Sequence, residues 1–477
     1  MTNHQDNQNH SQNGLRVNRQ EEEVVVVMVP FPAQGHLNQL LQLSRLILSY
    51  NIPFHYVGAA SHNHQAKLRV HGWNPRISFN IHFHDFEIPP ILSPLLDPNE
   101  ECKFPSHLQP CFDVLKRLRA PLAQLLRALS SQARRLIVIH DSMMGSAIQE
   151  VRLIPSVESY CFHSVSAFAV YLYIWETMGN SVEANDVIPK DIPSLEGCFT
   201  NEFLDSIAFE YDYRKFNSGF IYNTCRLIEG ASMDLLERVT VAENIKNWAL
   251  GPFNPVIIPQ NNSSNSRNFC LEWLDKQASD SVIYVSFGTT STMNNEQIKE
   301  IAFGLKQSNQ KFIWALRDAD KGDVFNGEER RAELPIGYED SVKDMGFIVR
   351  EWAPQLEILA HPATGGFMSH CGWNSCMESI SMGVPIGAWP MHSDQPRNTV
   401  LITQVLKVGI VVRHWAHRQE IVTSNMVETA VKRLMGCKEG DEMRKKAAEY
   451  GSKVRQSMGE GGVSRLEFDS FIAHITR

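Results

Sequence analysis

The sequence predicts an α/β protein of two Rossmann-like domains, each built on a doubly wound parallel sheet, facing each other across a cleft. Three observations carry this. Short β-branched runs alternate with helical patterns along the chain. The alternation halts at a polar, proline-flanked stretch near the middle and then restarts. A length of 477 residues suits two or three domains of ~100–200 residues each.

The elements follow in chain order. Residues 1–20, rich in Asn, Gln and His, are expected to form a disordered tail. Residues 24–29 are a continuous apolar run, the mark of a strand buried on both faces. After a Pro/Gly turn at 30–35, Leu37, Leu40, Leu41, Leu43, Ile47 and Leu48 recur at helical spacing. Further strands are predicted at 54–57, 136–139, 157–162 and 220–223. Two stretches break the rhythm, 89–110 with six prolines and 178–200 with two more. Long irregular segments of this kind either wall a pocket or run over the surface. The first domain is placed at 21–252, a linker at 253–268 and the second domain at 269–455. The second domain is predicted to have strands at 282–287, 311–316, 347–350, 366–369, 385–389 and 409–412, and a helix at 294–305. Facing sheets of this class bind ligands at the carboxyl ends of their strands.

Composition narrows the function. Lys plus Arg number 45 and Asp plus Glu 53, for a net charge of −8. With a pI near 6.1, that balance argues against a nucleic-acid partner. No run approaches the ~18 apolar residues of a membrane span, so no integral membrane segment is expected. Residues 1–20 are unlike a signal or transit peptide. The nine cysteines are scattered without a C-x-x-C pair, as in a reduced, cytoplasmic protein.

Three stretches carry chemistry. The turn Pro30-Phe31-Pro32-Ala33-Gln34-Gly35-His36 is neither G-x-G-x-x-G nor G-x-x-x-x-G-K-[ST], which disfavours dehydrogenase and P-loop readings. It leaves His36 at a helix start, as a general base or as a satisfied turn histidine. His140-Asp141 lies just past the strand predicted to end at Ile139. Asp141 either fixes the tautomer of His36 or caps the next helix. The third stretch is the 44 residues from Trp352 to Gln395. Gly372 begins a helix there, with His370, Asn374 and Ser375 around its N-terminus, a natural phosphate site. Glu378 shares a face with Asn374 and Ser375 and is placed to take ribose hydroxyls. Trp352 offers a face for a nucleobase, and Asp394 and Gln395 could bind a sugar. Each residue alone also has a plain structural reading; their joint spacing lifts the functional one.

This stretch resembles the signature box of the plant secondary-metabolite UDP-glycosyltransferases of family 1. It reads Trp352-Ala353-Pro354-Gln355, then 365–375, Glu378 and Asp394-Gln395. Gly35-His36, Asp141, Trp273-Leu274-Asp275 and Ser286-Phe287-Gly288-Thr289 extend the likeness over most of the chain. The resemblance implies the GT-B fold, with an acceptor domain first, a donor domain second and a final helix within 456–477 crossing back to the first. It implies catalysis by His36 with Asp141. Trp352 would stack on uracil, with Ala353 and Gln355 beside it and Glu378 on the ribose. His370, Ser375 and Thr289 would hold the diphosphate, near Asn374, while Trp373, Asp394 and Gln395 would face the sugar. Cys376-Met377 departs from the Thr-Leu common in the family and reads as helix packing.

The implied partners are a UDP-sugar, as donor substrate, and a small-molecule acceptor. Neither a metal nor another cofactor is expected. Residues 29–39, 140–142, 162–168 and 389–395 further resemble the zeatin O-glucosyltransferase group, which implies glucosylation of a cytokinin hydroxyl. Flavonoid, phenolic or terpenoid acceptors, UDP-xylose as donor and a non-catalytic UDP-sugar-binding protein are the alternatives. Oligomeric state stays open at this level.

Overall fold

The computed structural model describes residues 22–70, 80–89, 104, 108–179, 188–241, 245–258, 268–288, 293–316 and 333–477. The tail at 1–20, most of the 253–268 linker and large parts of the 89–110 and 178–200 stretches lie outside the described residues.

The first sheet has strands β1 (Glu22–Val29), β2 (Phe54–Ala59), β3 (Ile81–Phe86), β4 (Ala133–Asp141), β5 (Val157–His163), β6 (Gly219–Tyr222) and β7 (Lys246–Ala249). Their order is β3-β2-β1-β4-β5-β6-β7, and every pairing is parallel. The second sheet has β8 (Val282–Ser286), β9 (Lys311–Ala315), β10 (Gly346–Val349), β11 (Thr364–Ser369), β12 (Ile386–Ala388) and β13 (Gly409–Val411). Its order is β10-β9-β8-β11-β12-β13, again wholly parallel.

The apolar runs explain this arrangement. Along β1, Val25, Val27 and Val29 pack with Val114, Leu115 and Leu118 of the helix Cys111–Ser130. Val26 and Met28 point the other way, onto Leu40, Leu41 and Ile47 of the helix Gln34–Leu48. A strand covered by helices on both faces needs apolar side chains at every position, which is why β1 shows no polar alternation. In the second domain, Ile283 and Val285 face Ile298 and Ile301 of the helix Asn295–Ser308, while Val282 and Tyr284 face Ile358 and Leu359.

Two strands escape the sequence pattern, and they are the two edges of the first sheet. β3 reads IHFHDF and β7 reads KNWA. β3 is partly exposed along its length, and β7 is only four residues long and opens on Lys246 and Asn247, so neither shows an apolar run. The helix Val463–Thr476 packs over β7. Its Phe468, Phe471 and Ile475 join the core of the first domain, and Glu467 accepts the Ala249 N–H at 2.8 Å.

Each sheet reverses its strand order once, at β1/β4 and at β8/β11. Such switch points open a crevice at the carboxyl ends of the strands. The turns after β1 and β4 are neighbours, since Val29 pairs with His140, and so are those after β8 and β11, since Ser286 pairs with Ser369. Among the described residues, no helix is long and apolar enough to cross a membrane. The eight described cysteines are all free, and seven are buried.

Candidate active site

At the first switch point, the chain leaves β1 through Pro30–Pro32 and enters the helix Gln34–Leu48, which puts His36 in its first turn. Asp141 is the last residue of β4 and fully buried. His36 Nδ1 lies 2.7 Å from Asp141 Oδ2. A carboxylate can only accept, so Nδ1 carries the proton and Nε2 keeps its lone pair for a substrate. The other oxygen, Oδ1, accepts the Met143 N–H at 3.0 Å and caps the 3₁₀ helix Ser142–Leu153. The two readings of Asp141 therefore hold together, one per oxygen. His140 is a different case. Its ring is buried, with Nδ1 2.8 Å from Asp141 O and Nε2 2.8 Å from Asn217 Oδ1, and it does not line the cavity onto which His36 opens.

The second switch point offers a candidate anion site. The helix Trp373–Met382 starts at Gly372, and no side chain among the described residues caps it. Its first N–H groups and the positive end of its dipole are thus available to a phosphate. His370 stands beside this start, squeezed between two glycines. A Cβ at Gly372 would come within 2.4 Å of His370 Nε2, and one at Gly288 within 2.6 Å. Gly288 also has φ of +81°, a conformation that only glycine adopts freely. Burial pushes the His370 pKa down to about 4, so the ring is neutral at pH 7. Its buried Nδ1 has no partner among the described residues. A neutral imidazole with an orphan nitrogen offers an N–H or a lone pair, rather than a charge, to a ligand. Thr289 lies outside the described residues.

Around this start, Gln355 Nε2 donates to Glu378 Oε2 at 2.8 Å and to Ser375 Oγ at 3.1 Å. The amide thereby orients the carboxylate expected on the ribose. Trp352 is half-buried beside it, and Ala353 is buried with its carbonyl accepting the Gln355 N–H at 2.9 Å. The Trp373 indole N–H donates to Asn223 O of the first domain at 2.9 Å, with the ring packed near Phe168 and Leu172. A sugar would meet Trp373 through another group. Asn374 Nδ2 donates to Gly35 O at 2.8 Å, also across the cleft. Gln395 Oε1 accepts the N–H groups of Met391 and His392 at 2.8 and 3.0 Å, which leaves its Nε2 out of these bonds.

Asp394 is buried, and burial raises its pKa to about 6 against the pull of its bond from Asn398. Asn398 was not legible as a site residue. Its Nδ2 lies 2.7 Å from Asp394 Oδ2 and 2.9 Å from Cys371 O, while its Oδ1 accepts from Ser166 Oγ at 2.7 Å. One amide thus ties the proposed sugar carboxylate, the turn before the phosphate helix and the first domain. Arg397 beside it is fully buried. It reaches Glu176 at 2.5 Å and lies 4.0 Å over the Tyr173 ring. No spacing rule announces such contacts; helix periodicity alone would leave both residues on a polar face.

Most of these pieces open onto one cavity of about 1080 Å³. His36, Trp352, Ala353, Gln355, His370, Trp373, Asn374, Ser375, Glu378, Asp394 and Gln395 line it, and Asp141 stands just behind His36. The end in the first domain is aromatic. Phe104 and Phe203 have ring centres 3.9 Å apart, Phe199 stacks on Phe203 at 5.1 Å, and Phe31 lies 5.2 Å from His36.

Comparison with known proteins gives the family and the fold. The family described as "Glycosyltransferase, N-terminal domain" matches residues 22–255, and "UDP-glucoronosyl and UDP-glucosyl transferase" matches 254–473. The chain is 56% identical to a zeatin O-glucosyltransferase of Phaseolus lunatus, over 96% of this chain and 98% of that one. It is 54% identical to a zeatin O-xylosyltransferase of Phaseolus vulgaris, over 96% and 99%. In three dimensions it is similar to Phytolacca americana UGT2 complexed with UDP-2fluoro-glucose and pterostilbene, with a TM-score of 0.74 at 23% identity over 95% and 100% of the chains. That likeness shows the fold, GT-B. The chain belongs to the plant family-1 UDP-glycosyltransferases and is a glycosyltransferase enzyme.

Proposed function

We propose that the enzyme moves glucose from UDP-glucose to the side-chain hydroxyl of a zeatin-type cytokinin, in the cytoplasm, with inversion at the anomeric carbon. The observation that carries the reading is that the His36–Asp141 pair and the uncapped Gly372 helix start share one cavity. His36 Nε2 takes the proton of the acceptor hydroxyl. The oxygen forms a bond to the anomeric carbon as the bond from that carbon to the diphosphate breaks on the opposite side. The electron pair leaves with UDP. The growing negative charge there meets the helix N–H groups, the Ser375 hydroxyl and the His370 ring. Asp141 steadies the imidazolium that forms on His36. Glu378, pinned by Gln355, takes the ribose hydroxyls, and Asp394 and Gln395 take those of the sugar.

The acceptor end favours a planar, largely apolar molecule. Phe31, Phe104, Phe199 and Phe203 offer faces and edges on which a heteroaromatic ring stacks. UDP-xylose is a second reading for the donor, because a xylosyltransferase and a glucosyltransferase stand almost equally near in sequence. No divalent cation enters either scheme, so turnover should survive chelation with EDTA.

A donor-by-acceptor matrix, read by mass spectrometry, tests the proposal. UDP-glucose and UDP-xylose are crossed with trans-zeatin, a flavonol and a simple phenol. A zeatin O-glucoside product with UDP-glucose supports it. Absence of any zeatin product, with turnover of another acceptor, would sink the cytokinin assignment.

A further inference from the structure

The donor end of the cavity holds a cation that belongs to the other domain. Arg69 ends the helix Ala60–Arg69 and lines the cavity. Its guanidinium carbon lies 5.2 Å from the ring centre of Trp352. Trp352 follows β10 of the second domain, so the contact spans the cleft, and both residues line the cavity. Arg69 Nη1 also reaches Gln34 Oε1 at 3.5 Å, and Gln65 holds the same oxygen at 2.8 Å. Gln34 opens the helix that carries His36. Among the described residues of the lining, Arg69 and Arg214 are the arginines and there is no lysine. Arg214 stands at the far, acceptor end, over the rings of Tyr211 and Phe220.

On the reading of Trp352 as the base platform, we infer that Arg69 is a displaceable clamp for the nucleobase of the donor. In the structure its guanidinium lies over the indole. When the donor enters, the base slides onto Trp352 and the guanidinium closes over the outer face of the base. A base between the two needs two van der Waals gaps, about 7–8 Å in all, against the present 5.2 Å. The guanidinium must therefore retreat by a few ångströms, a shift that a long, flexible stem takes up by changing rotamer. The planar, weakly hydrated guanidinium suits stacking where an ammonium does not. With donor bound the clamp joins the domains through the base, and it acts on the base, not on the diphosphate.

The test uses the full chain and two probes, UDP and uridine, with dissociation constants measured by calorimetry or inhibition for wild type, Arg69→Ala and Arg69→Lys. Arg69 is half-buried at a helix end, so both variants should melt with the wild type. The clamp predicts that Arg69→Ala weakens UDP and uridine by the same factor, about 3–30-fold, and that Arg69→Lys recovers only part of it. Loss for UDP with none for uridine would overturn the clamp in favour of a diphosphate contact. No loss for either probe would overturn it outright. Wild-type protein that binds neither probe would overturn the donor-site reading itself, and the clamp with it.

Discussion

Asn374 donates its side-chain N–H to the backbone oxygen of Gly35 at 2.8 Å, across the cleft. The bond links the first turn of the helix expected to hold the diphosphate with the first turn of the helix carrying His36. It therefore helps set the distance between the base that takes the proton and the leaving group. The contact of the Trp373 indole with Asn223 O runs parallel to it, and Asn223 Nδ2 in turn holds Gln39 Oε1 at 3.0 Å.

Removing that spacer should damage catalysis more than donor binding. Asn374→Ala leaves the helix N–H groups, Glu378 and Trp352 in place, so UDP affinity should change little. A misplacement of about 1 Å between reacting groups costs on the order of 10²-fold in rate. Steady-state kinetics should show kcat down by about 10–100-fold, with UDP affinity followed by calorimetry. An unchanged kcat would mean that the two domains hold their spacing without this bond.

The two oxygens of Asp141 can be separated by mutation. Asp141→Asn keeps an oxygen for the Met143 N–H but removes the carboxylate from His36. Turnover should drop by about 10²–10⁴-fold with little change in melting temperature. Asp141→Ala should lose the same activity and about 1 kcal/mol of stability besides, the usual worth of an N-cap. His36→Ala should match Asp141→Asn in rate and leave UDP binding intact. If Asp141→Asn retains wild-type turnover with a natural acceptor, the pair is not the catalytic base.

The legible parts of this protein were those whose signal is local. β1 and β8 sit mid-sheet, covered on both faces, and read as unbroken apolar runs. His36 and Asp141 were legible because each stands at the carboxyl end of such a run. Arg397 shows the limit. By composition it belongs on a wet helix face, yet it is fully buried against Glu176, 221 residues away in sequence. Its place follows from the docking of two domains, and so do those of Asn398 on Ser166 and Arg69 on Trp352. Contacts between elements so distant in the chain leave no periodicity to read.

His370 is neutral at pH 7, because burial holds its pKa at about 4. If it serves the diphosphate through one N–H rather than a charge, an amide should replace it in part. His370→Gln should bind UDP more tightly than His370→Ala, by about the 1–3 kcal/mol of a hydrogen bond to a charged group. Both variants enlarge the gap between Gly288 and Gly372, so their stabilities should be compared first. Equal UDP affinities for Gln and Ala would show that the ring acts by packing alone.

Asp394 offers a pH test in which stability and function move in opposite directions. Its folded pKa is raised by burial to about 6, from 3.8 in an unfolded chain. Between those values the folded protein binds the extra proton. Stability from this group therefore falls as pH rises from about 4 to 6 and stays low above that. The cost above pH 6 is up to about 3 kcal/mol, before any relief from solvent or relaxation. Asp394→Asn should thus raise the melting temperature at pH 7.5 and lose that advantage near pH 4. Function runs the other way. The ionised carboxylate accepts two sugar hydroxyls better than an acid or an amide does. The KM for UDP-glucose should accordingly rise in wild type as pH falls through about 6, while UDP itself binds with little change. Asp394→Asn should show the high KM at every pH and no inflection near 6. An inflection that persists in Asp394→Asn would assign the titration to another group, and equal losses for UDP and UDP-glucose would move Asp394 off the sugar.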